Sequence, residues 1–431
     1  MEQDVIYLGL AGYGTVGTGL ARILEENSEW ITRRLGKKLI IKTVLVRDPD
    51  KGRAFPPAKE TTFTTSSQEL VNDPEIDILV ELMGGIEAPY ALIHAALEQG
   101  KPVVTANKAL LAERGPELFA LANRKGLGLY YEASVAGGIP IVETLKQSLA
   151  GNTIKTLTGI LNGTANFILS EMSATGMDFR DALQLAQDKG YAEADPELDI
   201  EGLDAAHKLC LLIRLAHGQD YPLSELPVQG ISGMHPFDIE MARNFGYRIK
   251  LLAQVKDRSG HLQAGVFPAL IRDEHILAKV DGPYNAILLD GNAVGPIMLY
   301  GQGAGDLPTG SAVLGDIMTL ARSTTPNNTG FIEEKLPAAN ILAPEQTVFR
   351  HYFRFTVQDR PGVLSTISGI MGERNISIAQ AVQKQETQEG GGVPVVFFTH
   401  AAQLKDVRDA LSEIDALNFV CAPTVHYRIL G

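Results

Sequence analysis

Gly12, Gly14 and Gly17 stand in the spacing G-x-G-x-x-G, between an apolar run at residues 5–10 and a helical pattern that continues to about Glu26. Each glycine has its own physical task. The first permits a tight turn, the second lets backbone approach a pyrophosphate, and the third lets helix and strand pack closely. The helix N-terminus then faces the anion. A strand–turn–helix context makes this a prediction of dinucleotide binding; the alternative is a glycine-rich turn without a ligand. Further apolar, β-branched runs follow at residues 39–46, 76–82 and 102–105, with helical patterns between them, such as residues 89–99. Strands alternating with helices predict an α/β fold, a doubly wound parallel sheet of the Rossmann type.

The texture then changes. Residues 127–131 read as a strand, and a helix is expected from Ile141. Residues 178–217 are helical apart from 190–199. Residues 245–300 carry several short β-like runs, and Gly301-Gln-Gly-Ala-Gly305 precedes a helical stretch at 312–321. Residues 323–346 lack periodicity and read as a linker. The remainder, 347–431, reads strand–helix–strand–strand–helix–strand, the order of a small ferredoxin-like domain.

Charge and cysteine content narrow the function. A formal net charge of −13 makes the chain a poor partner for nucleic acid or an anionic membrane. No apolar stretch is long enough to span a bilayer, and the N-terminus carries no signal-peptide pattern. Two cysteines, Cys210 and Cys421, exclude a disulfide framework and a four-thiolate metal site. A cytoplasmic location is expected.

Three segments carry chemistry. Arg47 follows the second apolar run, where a cation suits a 2′-phosphate; Asp48 comes next, so NADP is expected with NAD possible, and the alternative for Arg47 is a solvated loop charge. Lys108 closes Thr105-Ala-Asn-Lys at the carboxyl end of the fourth run, where ligands of open α/β sheets sit; the alternative is a surface lysine opening a helix. The acid-rich block from Gly190 to Lys208 holds Glu193, Asp195 and Asp199 in a loop, and Asp204 and Lys208 on a helix. Their i, i+4 spacing puts a carboxylate beside an ammonium, which can then serve a nascent alkoxide as acid. An ordinary helix ion pair has the same spacing.

Taken together, the glycine loop, Thr105-Ala-Asn-Lys108, Leu161-Asn-Gly-Thr-Ala-Asn166 and the Gly190–Lys208 block resemble the homoserine dehydrogenase family over about residues 4–322. The resemblance implies NAD(P)-dependent interconversion of L-homoserine and L-aspartate 4-semialdehyde, on the route to threonine and methionine. It implies Lys208, Lys108 and Asp204 as catalytic residues and Glu193, Asp204 and Asp199 as substrate-binding residues. At the cofactor it implies Gly12, Gly14, Thr15, Val16, Gly17, Arg47, Gly84, Thr105, Lys108, Gly190 and Gly305. It also implies a structural monovalent cation, sodium, at Glu132, Val135, Gly137 and Ile139; the alternative there is a glycine-rich turn with a buried Glu. The implied domains are a cofactor domain at 1–130 completed by 305–322, an α+β catalytic and dimerisation domain at 131–304, the linker, and a regulatory domain at 347–431. A homodimer or homotetramer is expected.

Asp359-Arg-Pro-Gly-Val-Leu-Ser365 with Asn375-Ile-Ser-Ile378 resembles an ACT domain, the amino-acid-sensing module. Backbone N–H groups at Gly362 would receive a carboxylate. The implied ligand is threonine as feedback inhibitor; a purely structural or assembly role is the alternative. Two other functions are weighed. An aspartate-semialdehyde dehydrogenase needs a thiol nucleophile, and Cys210 reads as core. A non-catalytic nucleotide-responsive sensor would not need Glu193, Asp204 and Lys208.

Overall fold

The turn at Gly12 is left-handed, with φ +98°. It joins β1 (Val5–Ala11) to the helix Thr15–Glu26 in a computed structural model describing residues 4–53, 55–322, 325–384 and 391–430. The chain divides into two compact units: Met1–Gly163 with Asp204–Leu226 and Pro283–Ala339, and Thr164–Leu203 with Pro227–Gly282 and Asn340–Gly431. The expected consecutive domains cut the chain differently, because segment 131–304 contributes to both units.

In the first unit, β1 lies at the centre of a six-stranded parallel sheet with β2 (Lys38–Leu45), β3 (Thr62–Thr64), β4 (Ile78–Glu81), β5 (Val103–Thr105) and β6 (Leu129–Tyr130). The order is β3-β2-β1-β4-β5-β6, the doubly wound arrangement with its switch point beside β1. Central strands buried on both faces read as unbroken apolar runs, which is why they were legible. β3, three residues long, was not, so the strand ending in Thr105 is the fifth and not the fourth. The helix Asp306–Arg322 starts six residues before the apolar pattern suggested. It crosses Thr15–Glu26 closely: a Cβ on Gly19 would lie 2.2 Å from the Asp306 carbonyl oxygen, and one on Gly310 would lie 2.8 Å from the Leu20 nitrogen. Three antiparallel strands, Ile154–Ile160, Tyr284–Gly291 and Gly295–Gln302, complete the unit's regular structure.

The expected linker is not free. Its residues 323–324 lie outside the described residues, but Asn328 is buried: its Oδ1 accepts from the Leu129 N–H at 2.7 Å and its Nδ2 donates to the Leu127 carbonyl at 3.0 Å. A side-chain amide thus satisfies the open edge of β6, a device that periodicity does not reveal.

In the second unit, the short β runs expected after residue 245 are two twelve-residue strands, Tyr247–Arg258 and His261–Arg272. They are joined by Ser259 and Gly260, both at positive φ, the geometry of a tight hairpin turn. The C-terminal module has the expected order, with strands Val348–Val357, Ile378–Gln383, Val393–Thr399 and Val420–Leu430 and helices Val363–Glu373 and Leu404–Asp415. Its last strand also pairs in parallel with His261–Arg272, Arg428 opposite Ala269, so hairpin and module share one sheet. Among the described residues no helix is long and apolar enough to cross a membrane.

Candidate active site

The helix Leu203–His217 is buried along most of its length, Lys208 included. Lys208 Nζ donates to Asp204 Oδ2 and to the Leu161 carbonyl oxygen, both at 2.7 Å. Asp204 Oδ2 also accepts from Asn162 Nδ2 at 2.8 Å, and its Oδ1 lies 3.1 Å from Lys108 Nζ. Lys108 opens the helix Lys108–Lys125 just past β5. One carboxylate therefore joins two ammonium groups from distant parts of the sequence, at the carboxyl end of a parallel strand. Burial pushes the Asp204 carboxyl up, but Lys208, Lys108 and the hydrogen bonds from Lys208 and Asn162 outweigh it and hold the group well below the usual carboxylate range. A carboxylate so placed stays ionised and keeps an ammonium oriented in a water-poor site. Neighbouring His207 is buried and its imidazole is pushed down by desolvation. Burial drives the Cys210 thiol up to about 12, unsuited to a nucleophile.

Glu81, at the end of β4, is the acid that sequence reasoning missed. It is fully buried; Oε1 accepts from the Met83 N–H at 2.6 Å and Oε2 from the Thr105 hydroxyl at 2.5 Å. Desolvation raises its carboxyl to about 7. Thr105 in turn accepts from the Asn107 N–H, and Asn107 caps the next helix at Leu110 N while donating to the Gly85 carbonyl. The loops after β4 and β5 are thus laced together. Thr105, expected at the cofactor, is itself fully buried with its hydroxyl engaged in this lacing. A lone acid ending an apolar run was the available signal.

The glycine loop divides its labour. A Cβ on Gly12 would lie 2.6 Å from the Leu82 carbonyl oxygen, and one on Gly17 2.6 Å from that of Gly12, whereas one on Gly14 would meet nothing within 4 Å. No side chain caps the helix there and no acid occupies its first turn, so Thr15 and Val16 present backbone N–H groups to an anion. These residues fit a dinucleotide pyrophosphate. Arg47 is exposed just past β2. Arg53, not anticipated, lies 4.1 Å from the Phe63 ring centroid and donates to the carbonyls of Asp48, Pro49 and Lys51. Gly84 and Gly305 are exposed, the latter at φ +125°.

Gly190, Glu193 and Asp199 belong to the second unit, between the helices Phe179–Asp188 and Leu203–His217. Gly190 takes φ +74° where the first of these ends, and Glu193 is exposed. Thr164 Oγ1 donates to the Tyr191 carbonyl at 2.5 Å and ties this loop down.

Glu132, Val135, Gly137 and Ile139 are all buried, with Ala136 and Gly137 at successive positive φ. Glu132 Oε1 and Oε2 accept from the N–H groups of Val142 and Glu143, each at 2.8 Å. Desolvation raises its carboxyl to about 7 and that of Asp316 well above the usual range, and burial lowers the Lys146 ammonium against the pull of the nearby acids. A monovalent cation beside these buried acids would favour their charged forms. Among the described residues no cluster of three or more His, Cys, Asp or Glu could hold a metal.

Comparison with known proteins places these features in a family. Residues 12–132 match the NAD-binding domain of homoserine dehydrogenase, residues 140–318 match its homoserine dehydrogenase domain, and residues 351–416 match an ACT domain. The chain is 43% identical to homoserine dehydrogenase of Helicobacter pylori, with 96% of each covered, and 39% identical to that of Pseudomonas aeruginosa, with 98% of each covered. It superposes on the crystal structure of a homoserine dehydrogenase from Thiobacillus denitrificans with a TM-score of 0.93, at 41% identity over 99% of both chains. A hyperthermophilic archaeal homoserine dehydrogenase in complex with NADPH matches with a TM-score of 0.62 at 29% identity, covering 73% of this chain and 97% of that one. This chain belongs to the homoserine dehydrogenase family, NAD(P)-dependent oxidoreductases acting on a CH–OH group, and carries a C-terminal ACT domain.

Proposed function

We propose that the chain interconverts L-homoserine and L-aspartate 4-semialdehyde, with NADP preferred and NAD accepted, in the biosynthesis of threonine and methionine. The observation that carries this reading is the Lys208–Asp204–Lys108 cluster at the end of β5. In the reductive direction the Lys208 ammonium donates a proton to the aldehyde oxygen as negative charge grows there; in the oxidative direction the same nitrogen takes the hydroxyl proton. Lys108, on the other oxygen of Asp204, adds positive charge beside the reacting carbon. Glu193, Asp199 and Asp204 bind the substrate's polar groups. The dinucleotide supplies the hydride chemistry when bound. Gly12, Gly14, Thr15, Val16 and Gly17 hold its pyrophosphate, Gly84, Gly190 and Gly305 line its path, and Thr105 acts through the loop it braces. Arg47, with Arg53 beside the Tyr13 ring of the glycine loop and hydrogen-bonded to the Asp48 carbonyl, supports the 2′-phosphate preference.

Four further parts of the reading stand beside the reaction. Glu132, with the backbone of Val135, Gly137 and Ile139, holds a structural sodium ion. The ACT domain at 347–431 binds threonine as feedback inhibitor at Gly362, where φ +93° opens the helix Val363–Glu373. The cofactor domain spans 1–130 and 305–322, with catalysis in 131–304. The enzyme works in the cytoplasm as a homodimer or homotetramer, a state supported by the strand Gly295–Gln302, whose Ile297, Met298 and Leu299 are half-buried and whose Tyr300 is exposed. Oxidation of NADPH and of NADH by aspartate semialdehyde, each with and without threonine, tests the whole reading. Absence of aldehyde-dependent NADPH oxidation overturns it.

A further inference from the structure

Asn285 stands on the strand Tyr284–Gly291 and is 1% exposed. Its Nδ2 donates to the Leu161 carbonyl oxygen at 3.0 Å, the same oxygen that accepts from Lys208 Nζ at 2.7 Å. The amide cannot be reversed, since that would set Oδ1 against the Leu161 oxygen. Oδ1 is therefore left buried without a hydrogen-bond partner. Burying an unsatisfied carbonyl opposes folding. The same amide lies against Gly303: a Cβ there would be 2.2 Å from its Cγ and Nδ2. An apolar side chain of this size would fill the place without the orphaned oxygen. What the amide adds is its donor to Leu161.

We propose that Asn285 is a positioning residue for the reaction: it fixes the Leu161 carbonyl on which the Lys208 ammonium rests, and so sets that ammonium against the substrate oxygen. The inference rests on the proposed reaction. Stability is sacrificed at this point for placement, a pattern expected where a local rule is broken near a functional group. Lys208 is held on two sides, by Asp204 along its own helix and by Leu161 across from it. Without Asn285 the carbonyl has one donor fewer and the ammonium can follow it.

The test uses Asn285→Leu and Asn285→Asp in the full-length chain, with wild type as control. Asn285→Leu is expected to keep or raise Tm while kcat falls ~10- to 100-fold, the scale of a small misplacement of a catalytic group, with KM for NADPH unchanged. Asn285→Asp keeps the shape, replaces the donor by negative charge and is expected to move the alkaline limb of the kcat/KM profile to higher pH. Wild-type kcat and pH profile in both variants would overturn the proposal. So would activity lost only in proportion to a lowered Tm, the mark of a structural role. If Asn285→Leu does not fold, the pH profile of Asn285→Asp decides. A wild-type chain that does not reduce aspartate semialdehyde refutes the reaction instead, so the two failures are distinguishable.

Discussion

Asp204 Oδ2 and Lys208 Nζ lie 2.7 Å apart, one helical turn from each other, with each side chain about nine-tenths buried. A surface pair at this spacing contributes a few tenths of a kcal/mol. A buried pair behaves differently, because removing one partner strands the other's charge. Asp204→Ala is expected to cost about 3–5 kcal/mol in stability, read as a fall in urea midpoint.

Lys208→Ala leaves the carboxylate with Lys108 and Asn162 as partners. It is expected to lower turnover by about 10²-fold or more while NADPH affinity, measured by fluorescence titration, stays within a small factor. Near-normal turnover would remove Lys208 from proton transfer.

Glu81 makes stability depend on pH. Its folded carboxyl titrates near 7, above the ordinary value, because burial disfavours the charge. A group raised on folding gives stability that is complete below the unfolded value and lost as pH rises through the folded one. Between about pH 4.5 and pH 7 the native state therefore holds a proton that the unfolded chain releases. Glu81→Gln keeps the shape without the charge. Relative to wild type, its Tm is expected to gain on going from pH 5 to pH 8, by an amount worth up to about 3 kcal/mol. An unchanged difference between the two pH values counts against the assignment.

How much of this was legible in the sequence depends on what each residue bonds to. Gly12, Gly14 and Gly17 announce themselves because their spacing repeats a backbone geometry. Asp204 and Lys208 do so because helix spacing is local. Lys108 could be placed at a strand end, but its contact with Asp204 crosses 96 positions and no local pattern encodes that. Asn285 and Asn328 were invisible for the same reason: both act on backbone carbonyls or N–H groups that any residue supplies. The strand His261–Arg272 reads as shorter runs because Gly265 and Pro268 interrupt its apolar pattern, whereas the completed sheet tolerates both.

The C-terminal module is joined to the rest of its unit by more than the shared sheet. Arg354 reaches Asp238 through two hydrogen bonds at 2.7 and 2.9 Å, and the Tyr352 hydroxyl donates to the same carboxylate at 2.7 Å. Asp238 is fully buried. Asp238→Ala is expected to destabilise by about 3–5 kcal/mol. Deleting 347–431 would also strip the partner strand from His261–Arg272 and expose its edge. The truncated chain is expected to aggregate in size-exclusion chromatography, so threonine sensing is better read in the intact chain with a Gly362 variant.

Gly14 separates binding from folding within the glycine loop. Its φ of −86° suits an L-residue, and a Cβ there meets no atom within 4 Å. Gly12 combines φ +98° with a 2.6 Å clash against Leu82, and Gly17 meets the Gly12 carbonyl at the same distance. Gly12→Ala and Gly17→Ala are therefore expected to lower Tm. Gly14→Ala is expected to leave Tm unchanged and to weaken NADPH binding, because its methyl occupies the space that lets a pyrophosphate reach the backbone. The readouts are thermal melting without ligand and NADPH titration by fluorescence. If all three alanine variants melt alike and bind alike, the loop is a structural turn and the cofactor sits elsewhere.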